Sequence, residues 1–484
     1  MTDQHVLWRS DDAAAATGGA SVAPWTATGV SIDTRSLLPG DLFVALRGPN
    51  FDGHDYVMEG FTRGAAAAIV ARRPPTVPEG APLLLVDDTF EALRALARCA
   101  RGRTAGRICA ITGSVGKTGV KEALRAVLAQ QGPTAASEGN LNNQWGVPLS
   151  LTRMGADEAY GVFEMGMNHA GELKPLSRLA RPHVAVITNV EAVHKAHFSS
   201  VEAIADAKAE IFEGVEGGAE VPGAAVLNRD NPYFPRLRAA AEGAGIARIV
   251  AFGRATDAEV RLVEAAIGAD GSRIRASVFG SILDFSIAAP GAHWVMNSLC
   301  VLAAADALGA DVARAAAGLV QVAAPDGRGR RMIIQLPGGA FKLIDDSYNA
   351  SPVSMAAAFD VLGRIAPDAA GRRIAVLGDM LELGDDAPSL HAALAEPLRA
   401  SGIDLVFTAG RDMAHLAAAL PATMRGGHAE DSARLVPLVE AAVRPGDVVC
   451  VKGSAGSRMG VVVRALRARE ADLDVERPRS ATPG

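Results

Sequence analysis

The sequence predicts an α/β protein of three domains. A central P-loop-type, mostly parallel sheet is flanked by a small N-terminal α/β domain and a C-terminal Rossmann-like α/β domain. Three observations carry this expectation. The chain has 484 residues, and domains of roughly 100–200 residues make three the natural division. Beyond Arg103, short apolar runs alternate with helix-like stretches, as parallel sheets with helices on both faces require. One of those runs passes through a glycine-rich turn into a helix at Thr112–Thr118.

Residues 1–100 form the first expected domain, where apolar runs at Leu42–Leu46, Ala66–Val70 and Leu83–Val86 alternate with turns such as Leu38-Pro39-Gly40-Asp41. Residues 101–323 form the second. Ile108–Ile111 reads as a buried strand, Lys117–Gln131 as a helix ended by Gly132-Pro133, and Val162–Glu164 and Val184–Thr188 as further strands. Ala303–Ala317 reads as an alanine-rich helix and Ala324–Gly329 as a linker. In the third domain, 324–470, strands are expected at Phe341–Ile344, Ile374–Leu377, Leu405–Thr408 and Val448–Val451. Residues 471–484 read as a disordered tail.

Composition removes several classes of function. A formal net charge of −6 argues against a nucleic-acid binder, whose footprint is an excess of Lys and Arg. No apolar run approaches the ~18 residues of a membrane span, and the N-terminus lacks an export signal. Cys99, Cys109, Cys300 and Cys450 are far apart and suit buried free thiols in a reducing compartment. A cytoplasmic, soluble protein is therefore expected. Seven of the 48 basic residues are lysines (117, 121, 174, 195, 208, 342 and 452). Where any positive charge serves, this chain uses Arg, so a retained Lys points to a slim or deprotonatable amine; Lys174 and Lys342 also fit a plain surface role.

Thr112-Gly113-Ser114-Val115-Gly116-Lys117-Thr118 has the chemistry of a phosphate site. Small residues let the backbone curl its N–H groups inward, and the helix N-terminus adds its positive end. Lys117 can reach terminal phosphates, and the Thr118 hydroxyl can ligate Mg²⁺. The pattern departs from GxxxxGK[ST], because Ile111 stands where the first glycine belongs. Nucleoside triphosphate binding follows from strand, loop, lysine and helix together. Glu164, at the end of its strand, is placed to complete a Mg²⁺ shell or to face solvent. His194 follows the next strand and reads as a metal ligand, with Lys195 and His197 as solvated neighbours. Lys208, in Ala205–Phe212, reads as a helix-surface lysine that only its scarcity singles out.

These residues resemble the muramyl (Mur) ligase family of ATP-dependent amide-bond-forming enzymes. The motifs run through nearly the whole chain: Thr112–Thr118 with Lys121-Glu122, Phe163–Gly166, Thr188-Asn189-Val190, Ala207–Ile211, His293 with Asn297, Gly329-Arg330 and Asp345–Ala350. Within the family, Gly139–Pro148, Asp345–Pro352 and Val376–Gly384 resemble the branch that adds D-alanyl-D-alanine. Asp230-Asn231-Pro232 continues with Tyr233 and reads as a turn, and Gly119 stands where relatives commonly carry Thr or Ser.

The resemblance implies a set of roles. Thr112, Gly113, Ser114, Val115, Gly116, Lys117 and Thr118 bind the ATP phosphates, and Thr118 with Glu164 holds one Mg²⁺. Lys208 matches the lysine that the family carbamylates with CO₂, which explains why Arg cannot stand there; the carbamate and His194 help hold a second Mg²⁺. Asn297 and Arg330 match nucleotide-contacting positions, and Asp346 meets the ribose. Thr34, Arg35 and Ser36 resemble the segment that grips a uridine nucleotide in the first domain, with a Ser/Thr turn before Pro39-Gly40 as the alternative. Asn140, Asn142, Tyr348 and Asn349 belong to the substrate segments, and Lys452-Gly453-Ser454 fits either phosphate binding or a strand-end turn. The implied reaction joins D-alanyl-D-alanine to UDP-N-acetylmuramoyl-tripeptide through an acyl phosphate, in a monomer. A family member adding another amino acid and a silent ATP-binding scaffold are the alternatives.

Overall fold

Aliphatic runs too short for helices build three large sheets, which the chain completes one after another, and two two-stranded ribbons accompany the first of them. The computed structural model describes residues 6–192, 198–217, 222–368 and 370–470. The first sheet has five strands, β1 (Ala20–Ser21), β2 (Gly29–Ser31), β3 (Asp41–Val44), β4 (Ala67–Val70) and β5 (Leu83–Leu85), in the order β1-β5-β4-β3-β2. The edge strand β1 is antiparallel to β5, and the other pairs are parallel. Every residue of β4 is buried, as expected of a strand covered on both faces.

Helix α1 (Thr89–Arg103) joins this sheet to the next. Asp88 starts it by accepting from the Phe90 and Glu91 amides, a side-chain cap that satisfies otherwise orphaned donors. At its other end Arg101 donates to the Ala180 and Arg181 carbonyls and Arg103 to those of Leu7 and Met154. Trp8 Nε1 donates to the Thr152 carbonyl, and Leu149 lies in the first core. The first two sheets are thus fastened by paired polar groups as well as by packing.

The central sheet has nine strands: β6 (Arg107–Thr112), β7 (Thr134–Ala136), β8 (Tyr160–Glu164), β9 (Val184–Ile187), β10 (Ala224–Asn228), β11 (Arg248–Gly253), β12 (Val260–Ile267), β13 (Ser272–Val278) and β14 (Ser281–Ile287). Their order is β7-β8-β6-β9-β10-β11-β12-β13-β14. Pairing is parallel up to β12 and antiparallel through the last two strands. Helix α2 (Lys117–Ala129) and the almost wholly apolar α3 (Ala292–Ala307) cover one face. The third sheet has the order β15 (Arg330–Leu336), β16 (Gly339–Asp346), β20 (Val448–Lys452), β17 (Arg373–Gly378), β18 (Leu405–Ala409), β19 (Arg425–Ala429), parallel except for the β15–β16 hairpin. Separate apolar clusters pack on its two faces.

Three expectations need correction. Ala303–Ala317 is not one helix: α3 ends at Ala307, Gly309 turns left-handed (φ 69°), and a second helix at Val312–Gly318 starts from the Asp311 side chain. A run of alanines carries no face that marks such a break. The antiparallel strands β12–β14 were not among the expected elements, although exposed and buried residues alternate along them and Asp270-Gly271 and Phe279-Gly280 mark the two turns that join them. Cys99 is exposed, whereas the other three cysteines are buried free thiols. The expected disordered tail, 471–484, lies outside the described residues.

Candidate active site

Strand β6 carries the chain to the carboxyl edge of the central sheet, where Thr112–Gly116 turns into α2. Gly113 has φ 149°, and a Cβ there would overlap the Thr188 hydroxyl, so the loop passes too close to the β9 end for any side chain. Thr188 Oγ1 donates to the Val115 carbonyl at 2.5 Å, and Ser114 Oγ to the Glu191 carbonyl at 3.2 Å. The loop is therefore held from the neighbouring strand end before any ligand arrives. Gly119 packs against the Trp294 ring of α3, which would meet a Cβ at 3.1 Å. The small residue at this position is explained by that ring.

Lys117 Nζ donates to the Gly113 carbonyl at 2.6 Å. Enclosure lowers its pKa, with the Glu164 charge opposing and Arg328 assisting. Glu164 is 2% exposed. One of its carboxylate oxygens accepts from Thr118 Oγ1 and the other from Asn142 Nδ2, both at 2.8 Å. The strand-end carboxylate does not face open solvent; it meets the hydroxyl that opens α2. Lys208, on the helix Val201–Ala209, is 2% exposed. Burial drives its pKa well below the ordinary lysine value, and Lys117 adds repulsion. Among the described residues nothing pairs with its Nζ, so the bland helix-surface reading fails. His194, Lys195 and His197 lie outside the described residues.

A cavity of about 300 Å³ opens beside the loop. Its walls include Ser114–Gly119 and Asn297 from the central part, and Asp346, Asn349 and Lys452 from the third. His293 opens onto it and keeps an exposed side chain. Lys452 is 3% exposed and donates to Asp346 at 2.8 Å and to the Asn349 carbonyl at 2.9 Å. Partial enclosure raises the Asp346 carboxyl, with the Lys452 charge opposing.

Other expected residues fall elsewhere. Arg330 pairs with Asp326 and does not line the cavity, whereas Arg328 does, its guanidinium 4.3 Å from the centre of the Tyr348 ring. Tyr348 borders a neighbouring concavity with Arg458, Arg464 and Arg467. Asn140 is exposed on the strap leading to Asn142. Thr34, Arg35 and Ser36 form a turn after β2, where the Asp33 carboxylate accepts from the Arg35 amide and pairs with its side chain. Lys174 and Lys342 sit on the surface paired with Glu213 and Asp368. Sequence reasoning missed Arg328 and Glu191, and it saw no role for Asn231. That buried side chain donates to Asn189 Oδ1 and to the Val190 carbonyl at 2.9 Å, fastening the chain after β9. The Asp230-Asn231-Pro232 turn is the local signal that could have pointed to it.

A triphosphate loop, a buried carboxylate and a cavity shared with a separate α/β unit describe an ATP-using ligase site, and comparison with known proteins agrees. Residues 111–305 match the Mur ligase middle domain, 329–455 the Mur ligase glutamate ligase domain, and 26–101 the Mur ligase family catalytic domain. The chain belongs to the Mur ligase family. Among its relatives is the UDP-N-acetylmuramoyl-tripeptide–D-alanyl-D-alanine ligase of Escherichia coli K12, 35% identical over 91% of this chain and 94% of that protein. The crystal structure of MurF from Acinetobacter baumannii superposes with a TM-score of 0.80 at 29% identity, covering 95% of this chain and 99% of that one. MurF ligase from Thermotoga maritima in complex with ADP gives 0.73 at 26% identity, covering 91% and 97%.

Proposed function

We propose that this chain is the ligase that joins D-alanyl-D-alanine to UDP-N-acetylmuramoyl-tripeptide at the expense of ATP, giving the pentapeptide precursor of peptidoglycan. The observation that carries the reading is the meeting of Thr118, Glu164 and Asn142 beside the Lys117 loop, within a chain that shares over nine-tenths of its length with ligases of that activity. The protein acts as a monomer in the cytoplasm; among the described residues no helix is long and apolar enough to cross a membrane.

A carboxylate resists attack by an amine because hydroxide leaves poorly. Transfer of the γ-phosphoryl group to a peptide carboxylate oxygen gives an acyl phosphate and ADP. The dipeptide amine then attacks the carbonyl, phosphate departs with the former carboxylate oxygen, and the ammonium proton is lost. Both partners in the first step are anionic, so the protein's task is alignment and charge neutralisation. Lys117 exchanges its Gly113 carbonyl for the phosphates, the loop amides bind the same oxygens, and Asn297 and Asp346 orient the nucleoside. Hard oxygen donors at Thr118 and Glu164 fit Mg²⁺, and a carbamate on Lys208 would add another. Bound there, Mg²⁺ neutralises phosphate charge. The low basicity of Lys208 leaves the neutral amine that addition of CO₂ requires. Closure of the third part over the cavity protects the acyl phosphate from water.

The test is phosphate release with ATP, Mg²⁺ and UDP-N-acetylmuramoyl-tripeptide, comparing D-alanyl-D-alanine with single amino acids. Turnover with the dipeptide alone is expected. Turnover with a single amino acid would assign another branch of the family, and none with any donor would leave an ATP-binding scaffold.

A further inference from the structure

Lys121 lies one helical turn beyond Lys117 and Thr118 on α2, on the face turned toward β8. It is fully buried. Its Nζ donates to the Ser137 carbonyl at 2.7 Å and the Gly139 carbonyl at 3.2 Å, and pairs with Glu122 at 2.9 Å. A buried ammonium with all three donors used is a costly feature unless it fixes something. What it fixes is the strap 137–142, which returns to Glu164 twice. Ser137 Oγ accepts from the Glu164 amide at 3.1 Å, and Asn142 Nδ2 donates to the Glu164 carboxylate. The Asn142 carbonyl also accepts from the Gly166 amide at 2.8 Å. One helix thus presents Thr118 to Glu164 directly and, through Lys121, holds the segment that orients Glu164 from its other side.

We propose that Lys121 is a positioning residue that sets the Glu164 carboxylate through the 137–142 strap. Its role in metal use rests on the proposed ligase reading; its clamp on the strap does not. In a chain that uses Arg almost everywhere, a slim ammonium is retained here because three acceptors converge on one enclosed atom. Lys121→Met conserves length and apolar volume. It leaves Glu122 with its second partner, Arg125, at 3.0 Å. Only the strap is released.

The experiment compares wild type, Lys121→Met, Ser137→Ala and the double variant by two readouts. One is backbone hydrogen–deuterium exchange over 137–142 in metal-free, nucleotide-free protein. The other is the Mg²⁺ concentration giving half-maximal phosphate release. Lys121→Met is expected to speed exchange in the strap while the α2 and β8 amides stay protected, and to raise the Mg²⁺ requirement about tenfold, the scale of outer-shell losses. Ser137→Ala keeps the carbonyl that Lys121 holds, so it should raise the Mg²⁺ requirement with the strap still protected. The double variant should fall short of the product of the two single effects. Wild-type exchange in Lys121→Met, or an unchanged Mg²⁺ requirement in either single variant, overturns the proposal. Should wild type release no phosphate with any donor, the ligase reading fails, while the exchange arm still decides whether the clamp exists.

Discussion

The enclosed lysines near the two sheet edges, Lys452 and Lys208 buried and Lys117 half-buried, are treated in opposite ways. On the third sheet Lys452 is locked to Asp346 and to a backbone carbonyl. On the central sheet Lys117 holds only a carbonyl, and Lys208 has no partner among the described residues. Lys121, also central, is neutralised like Lys452. A buried cation with a carboxylate partner is part of the frame. One without is kept ready for a ligand's negative charge or, when its pKa falls far enough, exists as a reactive amine. The contrast predicts that exchanging a neutralised lysine for an apolar residue acts through the structure it frames, whereas exchanging Lys117 or Lys208 acts on turnover directly.

Lys117→Ala has the largest expected effect. Removing the cation that meets the transferring phosphoryl group should lower kcat by about 10³-fold or more, measured as phosphate release, with the melting midpoint near wild type. Lys208 comes next. Lys208→Ala should be nearly inactive, with partial recovery in added formate or acetate if those anions replace a carbamate; full activity without additives would return this lysine to a passive role. In CO₂-free buffer Lys208→Met should be more stable than wild type, because a group kept neutral by burial gives way to one that is apolar. The pH dependence has a definite sign. In the unfolded chain the amine titrates near 10.5, and in the folded protein well below. Between those values the unfolded state holds the extra proton, so wild-type stability rises with pH across the window. Chemical denaturation at several pH values should show that slope reduced in Lys208→Met.

Breaking the neutralised pair should act on stability. Lys452→Met leaves the half-buried Asp346 carboxylate without its partner and should cost about 1–3 kcal/mol, read from denaturant unfolding of the third part. Lys452→Met with Asp346→Asn should regain much of that loss, since no uncompensated charge remains. The smallest effect belongs to Lys342→Ala. Its pair with Asp368 is solvent-exposed, and its loss should change stability by less than about 0.5 kcal/mol.

How far the sequence could be read follows from where its information sits. The Thr112–Thr118 loop is legible because phosphate binding needs consecutive amides, and consecutive residues specify them. Parallel strands such as β4, β6, β9, β17 and β20 are legible because two-sided burial makes continuous apolar runs, whereas β7 and β19 are short or polar and leave no such run. Glu164 could be tied to a metal from its strand end alone, but not to Asn142, since that contact depends on the strap's path. Arg328 on the glycine-rich turn and Arg330 at the start of β15 are two residues apart, and sequence cannot say which of them faces the cavity. Asn231 stayed hidden because its partners, Asn189 and the Val190 carbonyl, lie some forty positions away and meet it only in the folded sheet. Scarcity proved a useful guide to lysine. It singled out Lys208, and folding supplied the missing fact, burial without a described partner.

The central claim is that Lys208, which meets no counter-ion among the described residues, serves as an amine that takes up CO₂. It is tested most directly by ¹³C NMR of the full chain equilibrated with ¹³C-bicarbonate. A single carbamate resonance in wild type that is absent in Lys208→Ala is predicted. A wild-type spectrum without such a resonance, or the same resonance in Lys208→Ala, would contradict the claim.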